Sequence, residues 1–247
     1  MKYPDKYDLQ KSMLTGMACA LVVLAGLSAC SSSDSTPAVN PANTTTVSGK
    51  ISTDANPPPD GEPGVTVKGI YSDTDPANPS TTTAADGTFT LTVDTTKAVS
   101  IQISKSGYAT LNFEKTTITA PITDADEDGY PTTTMVQQVI NAALAPASIA
   151  LADKSWFVVQ VTDALGDDLG GVSIASNPAP DVEVYVDCDG SEAVGGATVA
   201  CPPGSARGVM YLAYFDAAPG DISVMAIGET QVAPVRMGEI SVFDFEQ

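Results

Sequence analysis

The stretch Ala85-Asp86-Gly87-Thr88-Phe89-Thr90-Leu91-Thr92-Val93 decides the fold class of this chain. Its Asp-Gly pair is a tight-turn signal, and threonine alternates with apolar residues after it, so that Phe89, Leu91 and Val93 share one face. A period of two residues is typical of a β-strand with one buried face and one wet face. The stretch therefore predicts a turn followed by a strand of an antiparallel sheet.

Short runs of the same kind lie on both sides of this strand and are separated by turn residues. Apolar alternation recurs at Val99, Ile101 and Ile103, and further β-branched or apolar runs occupy residues 47–51, 65–71 and 109–114. Several short strands with regularly spaced turns are typical of a β-sandwich. We therefore expect an all-β fold built from antiparallel sheets.

The order of these segments resembles the carboxypeptidase regulatory-like domain, a transthyretin-like sandwich of seven strands. The resemblance is carried by VSGKIS, PGVTVKG, AADGTFTLTV and VSIQISKSGYATLNF, which lie within residues 47–113. It implies that the strand after the Asp-Gly turn and the Lys-x-Gly-Tyr segment at 105–108 pack in the core. Residues 56–64 and 72–80 are longer or looser than the family pattern. The resemblance implies a fold and no catalytic residue.

A second, weaker copy of the pattern begins near Trp156. The run GDDLGGVSI at 166–174 parallels DGEPGVTV at 60–67, and residues 208–228 parallel residues 87–107 as a strand, a turn, a strand and a closing glycine. In the last strand Ile240 and Val242 share one face while Phe243 and Phe245 fall on the other, so the alternation breaks. We predict two tandem antiparallel β-sandwiches of the transthyretin or immunoglobulin-like kind, over residues 46–118 and 151–247.

A junction at residues 119–150 is expected between the two sandwiches. One stripe of a short helix is formed there by Met135, Val136, Val139, Ile140 and Leu144, and Pro146 follows as a helix-ending residue. A stripe of this kind favours packing at the junction over ligand binding.

The junction also holds a candidate calcium loop. Asp124, Asp126 and Asp128 stand at positions 1, 3 and 5 of an EF-hand-type opening, Gly129 follows, and the carbonyl of Tyr130 takes position 7. Position 12 is Met135, where such a loop normally places a bidentate glutamate. The alternatives are a structural Ca²⁺ site that stiffens the joint, completed by an acid from elsewhere, and a solvated acidic linker.

The N-terminal residues predict an exported, lipid-anchored precursor. An N-terminal segment with a weakly positive net charge precedes a short apolar run at 13–27, and Leu27-Ser28-Ala29-Cys30 resembles a bacterial lipobox. That resemblance implies cleavage after residue 29, acylation of Cys30 and, because Ser31 rather than aspartate follows, the outer membrane of the cell envelope. Residues 30–45 then form a disordered tether. The alternatives are an ordinary signal peptide with a stray cysteine and an uncleaved signal anchor.

The net charge and the cysteines restrict the binding partners and the chemical state that we expect for this chain. The chain has 11 basic and 30 acidic residues, and a net charge of −19 makes binding to nucleic acid or to anionic lipid unfavourable. Cys19 leaves with the signal peptide and Cys30 is expected to be acylated. Cys188 and Cys201 therefore remain, and two cysteines in an oxidising compartment are expected to form a disulfide.

The absence of histidine disfavours most catalytic sites. With 0 histidines, Ser-His-Asp triads, Cys-His dyads and the common catalytic zinc sites are excluded. We therefore expect a non-catalytic structural or protein-interaction module of the cell envelope, held at the membrane by its lipid and partnered by an unidentified envelope protein or polysaccharide. The alternatives are a surface carbohydrate- or polymer-binding lipoprotein, favoured if Trp156 and Tyr185, Tyr211 or Tyr214 are exposed and coplanar, and a carboxylate-based hydrolase.

Overall fold

The fold is taken from a computed structural model that describes residues 43–53, 61–127, 129–145, 147–162, 169, 172–186 and 210–247. Thirteen strands and one α-helix lie in these ranges. The strands are β1 (Thr44–Lys50), β2 (Thr66–Ile70), β3 (Ser80–Thr82), β4 (Thr88–Asp94), β5 (Ala98–Ser104), β6 (Leu111–Thr117), β7 (Ser155–Thr162), β8 (Ala175–Asn177), β9 (Val182–Val186), β10 (Met210–Phe215), β11 (Gly220–Ala226), β12 (Glu229–Val235) and β13 (Ile240–Glu246). The helix α1 spans Thr133–Ala143 and is followed by a 3-10 turn at Leu151–Asp153.

The strands form three sheets, and the prediction of an all-β sandwich fold is confirmed. The largest sheet has eight strands in the order β3-β2-β5-β6-β13-β7-β10-β9. A two-stranded sheet, β1-β4, and a three-stranded sheet, β12-β11-β8, complete the set. The eight-stranded sheet thus includes strands from both halves of the chain.

The strand that decides the fold class behaves as its sequence predicts. In β4 the residues Phe89, Leu91 and Val93 are buried, while the threonines between them are exposed. The strand pairs antiparallel with β1, and Leu91 lies opposite Val47. Burying one face of this pair against β2 and β5 creates the first hydrophobic core.

The second core lies between the eight-stranded sheet and the three-stranded sheet. It contains Phe157 and Val159 of β7, Phe243 and Phe245 of β13, and Ile222 of β11, together with their neighbours. The alternate residues of the same central strands belong to the first core instead, including Trp156, Leu212, Tyr214, Ile240 and Val242. Strands β7, β10 and β13 are therefore buried on both faces.

Burial on two faces explains the broken alternation in the last strand. Ile240 and Val242 contribute to the first core, and Phe243 and Phe245 contribute to the second. Only a central strand can satisfy both faces in this way. The structure accordingly places β13 between β6 and β7, in parallel pairing with each. These parallel pairings add to the predicted antiparallel sandwiches a continuous sheet that joins the two halves.

Helix α1 fits the predicted apolar stripe. Thr132 caps its N-terminus by accepting a hydrogen bond of 3.2 Å from the amide of Met135. At the other end, the amide of Leu144 donates to the carbonyl of Ile140 at 3.0 Å. Val136 and Ile140 are buried in the first core, so the stripe packs against the sandwich.

Candidate functional site

The described residues of the acidic segment, which we define as residues 122–130, lie beside β1. They form two isolated parallel bridges, Ile122 with Val47 and Glu127 with Ile51. Asp128 within the segment lies outside the described residues. The amide of Ser48 donates to the carbonyl of Ile122 at 2.8 Å, and the amide of Ser52 donates to the carbonyl of Glu127 at 2.8 Å. Four bonds return from the segment to β1 and Ser52, from the amides of Ile122, Ala125, Glu127 and Tyr130, at 2.7–3.1 Å. The segment therefore covers the edge of β1 that does not face β4.

Gly49 makes this close approach possible. A Cβ atom at this position would lie 2.1 Å from the carbonyl oxygen of Ala125 and 2.4 Å from its carbonyl carbon. Both are main-chain atoms, which cannot turn aside as the end of a flexible side chain does. A glycine inside a strand often marks such an approach of one backbone to another. The acidic segment can therefore cover this edge of β1 only because residue 49 is glycine. The sequence pattern that predicts a calcium loop does not include Gly49.

The carboxylates of the proposed calcium loop take part in local hydrogen bonds. Asp126 Oδ1 accepts a hydrogen bond of 2.6 Å from the amide of Lys50, which fixes its carboxylate against β1. Asp124 Oδ1 accepts a bond of 2.5 Å from the hydroxyl of Thr123. In the part of the chain that the structure describes, no three His, Cys, Asp or Glu side chains are grouped so as to hold a metal ion. Because Asp128 lies outside that part, calcium binding stays a prediction.

Tyr130 anchors the end of the segment in the first core. Its side chain is buried, its hydroxyl donates to the carbonyl of Ala109 at 2.6 Å, and its amide donates to the carbonyl of Ser52 at 2.7 Å. Burial raises the pKa of its phenol above the ordinary value. The ring stacks on Tyr108 with centroids 5.0 Å apart and planes at 15°. The sequence singled out the Tyr130 carbonyl as a ligand, but its side chain is what fixes this segment.

The Lys-x-Gly-Tyr turn at residues 105–108 connects the acidic segment to its neighbours. Lys105 donates to the carbonyl of Pro63 at 2.7 Å and forms an ion pair with Glu62. The carbonyl of Gly107, whose φ is +87°, accepts the amide of Thr133 at the start of α1 at 3.1 Å. Tyr108 adds the ring stack on Tyr130. The turn thus joins the loop before β2, the acidic segment and α1.

The aromatic residues considered for a sugar platform are inside the molecule. Trp156, Tyr211 and Tyr214 are buried, and Trp156 donates its indole N–H to the carbonyl of Leu151 at 2.9 Å. The rings of Trp156 and Tyr214 are tilted by 56°. The side chain of Tyr185 is not among those that the structure describes. The three described rings therefore do not form the exposed, coplanar surface that sugar binding requires.

Several predicted sites lie outside the described residues, namely Cys30, Cys188 and Cys201. Strand β9 ends at Val186, and its antiparallel neighbour β10 begins at Met210. Both later cysteines therefore belong to the connection between these two strands, and their disulfide stays a prediction. Within the described ranges, no helix combines the length and apolar character needed to cross a membrane.

Comparison with known proteins gives structural likenesses alone. No protein-family model matches the chain, and no curated protein matches it. The carboxypeptidase regulatory-like resemblance thus remains one of sequence pattern. Among solved structures, the chain is similar to the Bacillus anthracis TIE protein at 7% identity and a TM-score of 0.24, over 83% of this chain and 34% of that one.

Two pilins show comparable likeness. The shaft pilin SpaA from Lactobacillus rhamnosus GG is 8% identical with a TM-score of 0.21, over 83% of this chain and 97% of the pilin. A streptococcal ancillary pilin is 10% identical with a TM-score of 0.22, over 84% of this chain and 63% of the pilin. The chain spans about a third of the Bacillus anthracis protein. At these scores the likenesses carry no functional argument, and the fold assignment rests on the strands and sheets described above.

Proposed function

We propose that this chain is a non-catalytic structural module of the bacterial cell envelope, held at the outer membrane by a lipid on Cys30. In this proposal the tether leads from the membrane into β1, which begins at Thr44, so that its first two residues lie within the predicted tether. The first strand therefore connects the anchor to the folded part. The acylated residue supplies the attachment, and several acyl chains together hold a protein firmly at a bilayer.

The observation that carries this proposal is the double pairing of β1. A strand at the start of a domain frays readily unless neighbours hold it. Here β4 covers one edge over seven residue pairs, from Thr44 opposite Asp94 to Lys50 opposite Thr88. The acidic segment covers the other edge through backbone hydrogen bonds. A strand bonded on both edges suits a module that is held by a tether at that strand.

The continuity of the eight-stranded sheet also supports a structural role. Strand β13 joins the first half through β6 and the second half through β7. Because the central strands are buried on both faces, the two cores share them. In this proposal a pull on β1 would pass through the first core and the shared central strands to the second half of the chain.

A structural calcium ion at the acidic segment would fit the same role. The main-chain bond to Asp126 Oδ1 already orients one carboxylate of the proposed loop. Carboxylate and carbonyl oxygens are the ligands that Ca²⁺ prefers. Bound there, the ion would stiffen the cover of β1 and would take no part in a reaction.

The proposed partner is another protein of the envelope, bound in addition to the membrane. The strongly acidic composition favours a partner with a basic surface over nucleic acid. A polysaccharide is the second candidate, and it has less support because Trp156, Tyr211 and Tyr214 are buried. Crosslinking and pull-down from intact envelopes distinguishes the two partners.

The experiment that tests the anchor is membrane fractionation of the Cys30→Ala variant. We expect the wild-type chain to be processed and to lie in the outer-membrane fraction, whereas the variant keeps its signal segment and is released from that fraction. Cys19→Ala is the matched control, because it removes the other cysteine of the same N-terminal region and leaves the lipobox intact. Unchanged fractionation of Cys30→Ala, or equal release of both variants, would contradict the lipid anchor.

A further inference from the structure

The two halves of the eight-stranded sheet meet at a short seam between β6 and β13. Only two residue pairs form this ladder, Leu111 with Ile240 and Asn112 with Ser241. The amide of Ile240 adds one hydrogen bond to the carbonyl of Thr110 at 2.9 Å. A parallel ladder of two pairs supplies few backbone contacts to define which residues lie opposite each other.

A cluster of polar side chains lies at this seam. Asn112 is fully buried, and its Nδ2 donates to Glu239 Oε2 at 2.8 Å. Gln102 Nε2 lies 3.0 Å from Asn112 Oδ1 and 3.2 Å from Glu239 Oε2. Arg236 Nη1 donates to Asn112 Oδ1 at 3.2 Å. We call these four residues, Gln102, Asn112, Arg236 and Glu239, the polar latch.

The latch draws its members from both halves of the chain. Gln102 and Asn112 belong to β5 and β6, whereas Arg236 and Glu239 lie in the connection between β12 and β13. Arg236 also forms an ion pair with Asp73 in the loop between β2 and β3, with Nε donating to Asp73 Oδ1 at 2.9 Å. The latch therefore bridges the seam rather than bracing one half.

An irregularity in the sheet brings the latch together. The pairing of β5 with β6 shifts by one residue between Ser100, opposite Lys115, and Gln102, opposite Asn112. A bulge of this kind re-aims the side chains that follow it. As a result Gln102 lies directly across from Asn112, and both reach the same carboxylate of Glu239.

We infer that the polar latch sets the register of the seam and keeps it closed. A slip of β13 by one residue along β6 would turn its side chains to the opposite faces, and it would separate Glu239 from Asn112. The buried Nδ2 of Asn112 would then lose Glu239 Oε2 as its acceptor, which penalises every other register. Apolar packing on both faces of β13 favours burial but accepts several alignments, whereas these directional bonds accept one. The inference is independent of the lipid anchor.

Amide hydrogen exchange of the full chain tests this inference at Ile240. The variants are Asn112→Ala, Glu239→Ala and their combination, with Glu239→Gln as a milder change that keeps the side-chain length. Thr116→Ala is the matched control, because Thr116 lies on the same strand and its side chain is exposed. We expect each latch variant to accelerate Ile240 exchange by about tenfold or more, and the control to leave it within about twofold.

The double variant separates a latch from two independent contacts. If Asn112 and Glu239 act together, the combined variant accelerates exchange by little more than either single variant. Multiplicative effects would contradict coupling across the seam. Exchange at Ile240 that is unchanged in Asn112→Ala and Glu239→Ala, or changed equally by Thr116→Ala, would overturn the inference. If these alanine variants do not fold, Gln102→Ala decides, because it removes the donor of two latch bonds from a half-buried residue. An unchanged Ile240 rate in that variant would count against the latch.

Discussion

Replacement of Gly49 by alanine should detach the acidic segment from β1. The new methyl group would lie 2.1 Å from the carbonyl oxygen of Ala125, which is inside van der Waals contact with a main-chain atom. The segment must move away, and six backbone hydrogen bonds of 2.7–3.1 Å depend on its position. Each contributes about 1 kcal/mol net. Loss of the nearest two to four predicts a decrease of about 2–4 kcal/mol in the free energy of unfolding, or roughly 4–16 °C in Tm for a chain of this size.

Denaturant unfolding followed by circular dichroism measures this decrease. The matched control is Ser48→Ala, which alters the adjacent residue and removes only a hydroxyl contact of 3.0 Å with Thr90 at an exposed site. That control should change the free energy of unfolding by no more than about 0.5 kcal/mol. If Gly49→Ala is as mild as Ser48→Ala, the segment is not packed on β1, and the reasoning is refuted.

Three further predictions concern charge, metal and the cysteines. Burial, followed by the charge of Glu229, raises the pKa of Glu114 above its ordinary value. The protonated form is therefore favoured in the fold, and the stability that it contributes is lost as pH rises through the folded-state pKa. Glu114→Gln should therefore raise Tm at pH 7 but not at pH 3, and an equal rise at both would exclude this cause. Calcium at 10 mM should stabilise the wild type by about 1.4 kcal/mol if the Kd is about 1 mM, and magnesium should not. The same shift in Asp126→Asn, or no shift in the wild type, would rule out the site. A disulfide that closes a loop of about 14 residues stabilises a fold by about 3 kcal/mol. Reductant should therefore lower the free energy of unfolding of the wild type by this amount and leave that of the Cys188→Ser, Cys201→Ser double variant unchanged. No effect of reductant on the wild type would exclude the disulfide.

Local pattern was sufficient to predict the strands and the helix. The alternation of Phe89, Leu91 and Val93 gave the buried face of β4, because burial on one face leaves a period of two in the sequence. The stripe at Val136 and Ile140 likewise gave the buried face of α1. Both signals arise within a few neighbouring residues, so no knowledge of distant contacts is required.

Contacts between distant segments were not predictable in the same way. The parallel pairing of β13 with β6 joins residues well over 100 positions apart, and its only local trace was the broken alternation at Val242 and Phe243. That break signals burial on both faces but does not name the neighbouring strands. The bonds of the polar latch have no sequence period, because they depend on where the bulge and the β12–β13 connection place four side chains.

The acidic segment shows how one pattern supports two interpretations. Its aspartates at alternate positions suggested calcium, while its backbone serves as the cover of a strand edge. Gly49 was the available signal for that cover, since a glycine within an alternating run indicates close approach of another chain segment. The identity of the approaching segment depends on tertiary structure, and so the role of Tyr130 as its anchor was not foreseen.

Amide hydrogen exchange along β1 tests most directly whether the tether-bearing strand is held on both edges. The amides of Ser48, Lys50 and Ser52 face the acidic segment and donate to Ile122 O, Asp126 Oδ1 and Glu127 O, respectively. The amide of Ile51 faces the other way and donates to the carbonyl of Gly87 at 3.0 Å. We predict comparable protection of both sets. Rapid exchange of Ser48, Lys50 and Ser52 beside a protected Ile51 would show an open edge and would contradict the proposed role of β1.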